Sequence, residues 1–594
     1  MILNIIYLAQ LLIVSGVFAD SDKISISPTI INNLDESQSY RVNFQLSSPI
    51  QCEDPHALCN VVLQFTNPLP EEVSIVPCIL EWSTDEWETT KSVIVTALED
   101  FVDDGDREIT LITGELISNA VFYEDVKPSD ITIRTRSRPT GHCSSTGDPH
   151  LTTFDGYHYH FYGRGYVKMV YSSDYELEVQ AITHGGGYSR NCAVAIREHN
   201  DLVIMDACDG SFEITERITS TGEDRPRIYS RGGNQYIVDF ASGSQVQAHV
   251  WGNNMNVYID IPGIYWQNVG GMCGNFDGNP NNEGNPSYVI SSYSSLPNEW
   301  KVNPSELLWV WEPSTNIDDS ETSLHIPPNS HTCEYTRPLH RRPIISNANV
   351  EDITDLIIST RQQNSDNLQN NIVRNYTFIP SSGDTEPTQS ISEETARELC
   401  EERIYSSEAG ERCNDIGNID LNIFMNNCIE DLIVMGEEQY IDNAYNDMIS
   451  ACELEIYRNL SNWGTTESGL SYTAPLDIIR DLCIDGCSRY GRCLNGECVC
   501  REGYGGSNCM VDLNREPLVN SVYPYACDFN NPEDCGNYIR INGDNYLNST
   551  GLTCQYKTYF GNYSRVWNVP ARYIGYSMVM CPTPLNHSIQ SLVT

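Results

Sequence analysis

The chain has 594 residues, with 35 Lys and Arg against 81 Asp and Glu, for a formal charge of −46. That length implies several domains rather than one, and that charge argues against nucleic acid and anionic membranes as partners. It is compatible with calcium, with basic partners or with plain solubility, and the 22 cysteines fit an oxidising compartment in which they pair.

Residues 1–19 carry no charged side chain and end in Val17-Phe18-Ala19, a small-residue cleavage pattern. The stretch predicts a secretory signal peptide and is too short for a comfortable membrane span. No later stretch approaches transmembrane length. Sequons at Asn375, Asn459, Asn548, Asn562 and Asn586 agree with an exported glycoprotein.

Residues 23–137 alternate in the half-buried strand manner, as in Val42-Asn43-Phe44-Gln45-Leu46 and Val61-Val62-Leu63-Gln64-Phe65. They predict a β-sandwich, with Cys52 and Cys59 close enough to bridge one loop and Cys78 left over. The segment resembles Calx-β and related extracellular sandwiches. Its acidic turn Asp103-Asp104-Gly105-Asp106 reads as a solvated turn rather than a calcium site.

Residues 143–312 predict a mainly antiparallel β unit, with strands such as Tyr236–Phe240 and Val246–Trp251 joined as a hairpin. Two motifs bracket it: Gly147-Asp148-Pro149-His150 through Phe154-Asp155-Gly156, and Cys273-Gly274-Asn275-Phe276-Asp277-Gly278 through Glu283. The second spaces oxygen-bearing side chains along a Gly/Asn/Pro turn, as a loop that wraps a hard cation does. Taken alone, such a turn is more often just a turn.

The pair of motifs, in this order and about a domain apart, resembles the von Willebrand factor type D domain. That resemblance implies one calcium held by Asp155, by the side chains of Asn275, Asp277, Asn282 and Glu283, and by the backbone carbonyl of Asn279. It also implies a Cys143–Cys273 bridge. Multimer-forming members carry Cys-Gly-Leu-Cys before the calcium loop, a pair suited to disulfide exchange. Here the run is Gly270-Gly271-Met272-Cys273, which argues against chain-to-chain linkage by that route. His142, His150, His158 and His160 crowd the first motif and invite a zinc reading. No His-Glu-x-x-His helix or Cys-x-x-Cys pair accompanies them, so they read as strand histidines.

Residues 313–389 turn polar and predict a linker with little core, in which Cys333 staples back onto the preceding domain. Residues 390–464 switch to helical period, with Ser390-x-x-Glu393 as a capping box and apolar stripes through Leu399, Phe424 and Tyr445. Cys400, Cys413, Cys428 and Cys452 allow three pairings. The unit resembles the cysteine-rich helical module that often follows type D domains.

Residues 479–510 place Cys483, Cys487, Cys493, Cys498, Cys500 and Cys509 within 27 residues, the spacing of an EGF-like domain. The resemblance implies bridges Cys483–Cys493, Cys487–Cys498 and Cys500–Cys509. A span that short cannot bury an adequate core, so its disulfides define it. Arg480-Asp481-Leu482 lacks the acidic signature of a calcium-binding EGF module. Residues 511–594 resemble an IPT-type immunoglobulin-like strand set, with Cys527–Cys535 and Cys554–Cys581 as plausible pairs.

The expected fold is thus a mainly β multidomain mosaic: β-sandwich, type D domain, small helical module, EGF-like module and immunoglobulin-like end. This order resembles the von Willebrand factor D and EGF domain-containing proteins. The resemblance implies a secreted or cell-surface protein whose partners are extracellular proteins, signalling receptors or matrix, with structural calcium and no catalytic residues. The competing expectation is a disulfide-linked matrix or gel-forming protein. An extracellular hydrolase is the weakest, since no nucleophile elbow, phosphate loop or zinc-protease helix occurs.

Overall fold

The computed structural model describes residues 23–311 and 391–583 with short breaks, chiefly 53–58, 100–104, 284–288, 466–471 and 524–537, together with residues 350–352 and 354. Outside the described residues lie residues 1–19, Cys333 and most of the 313–389 stretch, Ser390, Asp103 and Asp104 of the acidic turn, and Cys527 with Cys535. The sequons at Asn375, Asn562 and Asn586 lie outside them too.

Two compact units divide the chain, the first ending at Arg136 for its described part. Its strand Ser39–Leu46 buries Val42, Phe44 and Leu46, and Asn60–Thr66 buries Val61, Leu63 and Phe65. Successive side chains point to opposite faces, so each strand offers one apolar row. Two sheets face each other across those rows. One orders Ile24–Ser27, Ser39–Leu46, Lys91–Ala97 and Val73–Val76. The other orders Ile30–Asp35, Ile131–Arg136, Arg107–Thr113, Asn60–Thr66 and Ile79–Ser83. Phe44 and Phe65 meet edge to face at 5.3 Å and join the two rows. Cys52 bonds Cys59, and Cys78 is disulfide-bonded as well.

The second unit is built on a 14-stranded sheet. Gly141–Thr146 pairs antiparallel with both His150–Thr152 and Asn254–Ile261, and His150–Thr152 pairs with His158–Phe161. Gln245–Trp251, Gln235–Asp239 and Arg227–Arg231 continue the sheet from Asn254–Ile261. A meander of Gly165–Ser172, Leu177–His184, Arg190–Glu198, Asp201–Asp206 and Glu213–Arg217 joins at Asn191 and Met255. Gln235–Asp239, Gln245–Trp251 and Asn254–Ile261 are buried on both faces, and one apolar cluster fills the interior of the unit.

Three features depart from the sequence reading. Residues 350–352, assigned to a linker, form a strand (Val350–Asp352) on Arg227–Arg231, and Thr354 Oγ1 accepts from Ile228 N at 2.8 Å. Three residues are too few for a hydrophobic period to register. Cys192 bonds Cys208, a pair that local spacing did not single out. The C-terminal strands pack on the type D-like sheet rather than standing apart: Ile574, Met578 and Met580 enter its core, and Arg540 Nη1 donates to Ile214 O at 3.1 Å.

His249 is buried in Gln245–Trp251, where burial and then the Arg231 charge push its imidazole down to about 3. An unfolded histidine titrates near 6.5, so below that pH the unfolded chain takes up a proton that the folded chain refuses. Stability is therefore complete above pH 6.5 and falls as pH drops, by about 1.4 kcal/mol per unit. His249→Gln is expected to remove about 2 kcal/mol of the stability lost between pH 7 and 5. Urea melts at the two pH values check this, and parallel losses in both chains would refute it.

Helices Glu393–Ile404, Glu408–Ile416, Leu421–Met435 and Gln439–Arg458 form a bundle. Disulfides Cys400–Cys428 and Cys413–Cys452 lie at its centre. The first helix is capped by Ser392, whose hydroxyl accepts from Thr395 N at 3.2 Å, instead of by Ser390. The helix starts at Glu393, so only Ser392 stands at the N-cap position. Beyond the helix Leu476–Asp481, a hairpin of Gly491–Leu494 and Glu497–Cys500 carries bridges Cys483–Cys493, Cys487–Cys498 and Cys500–Cys509. Strands Leu518–Tyr523, Tyr538–Asp544, Met578–Pro582 and Arg572–Gly575 form the final sheet, beside a Thr553–Phe560 and Tyr563–Pro570 hairpin tied by Cys554–Cys581. No helix among the described residues is long and apolar enough to cross a membrane.

Candidate functional site

Residues 147–156 link two different places. At the Phe154-Asp155-Gly156 end, the Cys143–Cys273 disulfide and a bond from Phe154 N to Cys273 O (3.0 Å) hold the first motif against the second. Phe276 sits between Phe154 (5.5 Å) and Trp266 (5.0 Å) as an aromatic floor. Asp155 then accepts from Asp277 N at 3.0 Å and Gly278 N at 2.9 Å. Asp277 in turn accepts from Asn279 N at 3.0 Å and Asn282 Nδ2 at 2.7 Å, and Asn279 O accepts from Asn282 N at 3.3 Å. The turn folds onto its own oxygens, as Asx turns do.

Glu283 swings back beneath this turn. It accepts from Thr153 Oγ1 at 2.7 Å and Asn275 N at 3.0 Å, and it is only 6% exposed. Burial, partly offset by those two bonds and reinforced by the Asp155 charge, pushes its carboxyl up to about 7. Asn275 Oδ1 is buried with no hydrogen-bond partner. A Cβ added at Gly274 would fall 1.8 Å from Glu283 Oε2, so the loop is shaped around that carboxylate. The structure thus gathers Asp155, Asn275, Asp277, Asn279, Asn282 and Glu283 at one turn. The buried Glu283 carboxylate and the one orphaned amide oxygen, on Asn275, belong to a donor set suited to a hard cation.

The Gly147-Asp148-Pro149-His150 end does something else: it receives the helical module. Thr146 Oγ1 donates to Asp447 at 3.2 Å, and His150 Nε2 lies 3.0 Å from Asp431 Oδ1. Arg190 Nη1 donates to Tyr440 Oη at 3.1 Å, and Arg458 donates to Thr140 O. Burial opposes a charged imidazole here, yet Asp431 and Asp148 together hold His150 up at about 9. Burial and the His150 charge push His160 down to about 4, whereas burial and then Asp431 push Asp148 up to about 8. His158 stands apart and pairs with Thr152 Oγ1 at 2.8 Å. Asp431 and Asp447 escaped sequence reasoning because on a helix they look like ordinary acidic positions; both are buried.

At Gly270, where a cysteine would open the exchange pair, the backbone bonds Tyr171 in both directions (2.9 and 3.0 Å). A Cβ there would fall 2.9 Å from the Tyr171 ring. Among the described residues no cysteine is free. Of the sequons, Asn548 is exposed and Asn459 half-buried.

The site thus joins a disulfide-tied β domain, a paired acidic loop and a docked helical bundle. Residues 143–285 match the family model of the von Willebrand factor type D domain, and residues 385–474 match that of the Vwde-like domain. Human mucin-5B is 28% identical over 181 residues, covering 28% of this chain and 3% of mucin-5B. Mucin-6 of Gallus gallus is 25% identical over 183 residues, 28% of this chain and 15% of mucin-6. Human sushi domain-containing protein 2 is 26% identical over 165 residues, 25% of this chain and 20% of that protein. The chain matches no more than a fifth of the length of any of these three. These matches support a von Willebrand type D-containing protein, with relatives that are mucins and similar proteins rather than enzymes.

Proposed function

We propose that this is an extracellular or cell-surface protein that acts by protein contacts, in adhesion or signalling, with a structural calcium in its type D domain. The observation that carries this reading is a type D domain whose cysteines are closed on themselves. Cys143 bonds Cys273, Cys192 bonds Cys208, and position 270 is a glycine, with no thiol to exchange. The many bridges fit an oxidising compartment, and the 483–509 segment is read as an EGF-like module. Contact partners are extracellular proteins, among them receptors or matrix components.

The mucin relatives favour a second reading, a disulfide-linked matrix or gel-forming assembly. Non-reducing electrophoresis of the secreted chain separates the two. A monomer band is expected; a ladder that collapses on reduction would establish assembly instead.

For calcium, the buried and unpaired Asn275 Oδ1 beside Glu283 and Asp155 supports a bound cation. Asp155, Asp277 and Glu283 would supply its charge, with Asn275, Asn282 and the Asn279 carbonyl completing an oxygen set. The ion would fix the loop against Asp155. Calorimetric titration is expected to find one site with a Kd of about 10⁻⁴–10⁻³ M, in the range of extracellular modules. Asp277→Ala should abolish it, and undiminished binding in that variant would refute the ligand set.

A further inference from the structure

The Gly147–His150 corner meets the helical module through ionisable groups that are closed to solvent. Asp148, Asp431, His160 and His150 are 1%, 2%, 4% and 5% exposed. His150 Nε2 lies 3.0 Å from Asp431 Oδ1 and 3.2 Å from Asp148 Oδ1, and His150 Nδ1 lies 2.8 Å from His160 Nδ1. The ring thus has carboxyl groups on one side and a second imidazole on the other. Asp431 reaches this corner at steric expense: a Cβ on Gly147, at φ +60, would fall 2.3 Å from Asp431 Oδ2.

These contacts say where the protons lie. Asp148 and Asp431 hydrogen-bond each other, which two carboxyl groups do only when one of them carries a proton. As an imidazolium, His150 donates from Nε2 to Asp431 and from Nδ1 to His160, so both ring nitrogens are satisfied. Remove either proton and like charges or lone pairs face each other in low dielectric. The other titratable groups facing the corner are Glu430 on helix Leu421–Met435, Asp447 and Tyr440 on helix Gln439–Arg458, and His158 and Tyr162 in and after strand His158–Phe161. Arg190, on Arg190–Glu198, is bonded to Tyr440. The acids add negative charge, and burial keeps Tyr162, Tyr440 and His158 neutral.

We propose that two protons latch the helical module to the type D sheet, one completing the His150 imidazolium and one shared between Asp148 and Asp431, so that the joint is closed at neutral pH and loosens in mild alkali. Exposed histidine and aspartate titrate near 6.5 and 3.9. Burial opposes charge on His150, yet Asp431 and Asp148 hold it up at about 9, while burial and then the Asp431 charge push Asp148 up to about 8. Both values are raised, so the closed joint binds more protons than the open one and weakens as pH rises through about 8 and 9. Asp447, pushed up by burial to about 6, and His160, pushed down by burial and then by the His150 charge to about 4, titrate below that window.

The test follows hydrogen exchange of the full secreted chain by mass spectrometry at constant calcium, corrected for the intrinsic rise of exchange with pH. Protection of residues 147–161 and of helix Leu421–Met435 is expected to fall at least about tenfold between about pH 7.5 and 9, since one pKa unit corresponds to a factor of ten. Strand Ser39–Leu46, in the other compact unit, should keep its protection. Asp148→Asn offers Asp431 an amide donor in place of the shared proton, so it should match the wild-type chain near pH 7.5 and lose most of the fall. Flat protection in the wild-type chain, or an equally steep fall in Asp148→Asn, overturns the latch. Should the variant fail to fold, histidine ring NMR of the wild-type chain decides. One ring titrating well above the ordinary value of about 6.5 supports the latch, and its absence overturns it.

Discussion

Replacing both Cys143 and Cys273 by serine is expected to cost the type D domain about 5 kcal/mol by the chain-entropy account, because the bridge closes a loop of 130 residues. Folded domains hold about 5–15 kcal/mol in all, so the doubly substituted chain should be secreted poorly or melt near ambient temperature. Removing Cys192–Cys208, which closes 16 residues, should cost about 3 kcal/mol. The two losses are read from calorimetric melting of matched secreted chains. Equal losses, or a larger one at the short loop, would contradict the entropic argument. The long bridge also has a local duty: Cys273 O receives Phe154 N, and the next residue is Asp155. Freeing Cys273 should therefore weaken calcium binding in whatever folded fraction remains.

What the sequence disclosed follows from what local periods can carry. Alternation in Ser39–Leu46 says that Val42 and Phe44 share a buried face, and they do. Helical spacing through Leu421, Phe424, Met425 and Cys428 says the same of the third helix of the bundle. Neither pattern says what lies opposite. Asp431 sits on that helix as one acidic residue among 81 in the chain, and only the tertiary fold places it against His150. The strand set read in residues 511–594 does not say that Ile574, Met578 and Met580 enter the type D core. Helix Glu408–Ile416 was missed for a different reason: at nine residues it is short, and its apolar content is mostly Ala409, Cys413 and Ile416. The acidic loop was more legible because its oxygens lie within nine consecutive positions, so local spacing reports nearly the whole arrangement.

Gly274→Ala is expected to separate the shape of that loop from its chemistry. Gly274 has φ +86, and an added Cβ would fall 1.8 Å from Glu283 Oε2 and 2.5 Å from its carboxyl carbon. A free glutamate would simply turn away. This one is held by Thr153 Oγ1 and Asn275 N in a buried pocket, so moving it breaks two bonds to a charged group. Those bonds are worth about 1.5–3 kcal/mol each, and the left-handed backbone adds about 1–2 kcal/mol for a residue with a Cβ. The variant should therefore lose at least about 4 kcal/mol and bind no calcium. Gly156→Ala is the control: its φ is +81, it adjoins Asp155, and its Cβ would meet nothing within 4 Å. It should suffer the backbone cost alone, about 1–2 kcal/mol, and keep its calcium affinity. Melting curves with and without calcium read both effects. If the two alanines prove equally harmful, backbone strain rather than the Glu283 contact governs the turn. If Gly274→Ala binds calcium normally, Glu283 is not a ligand.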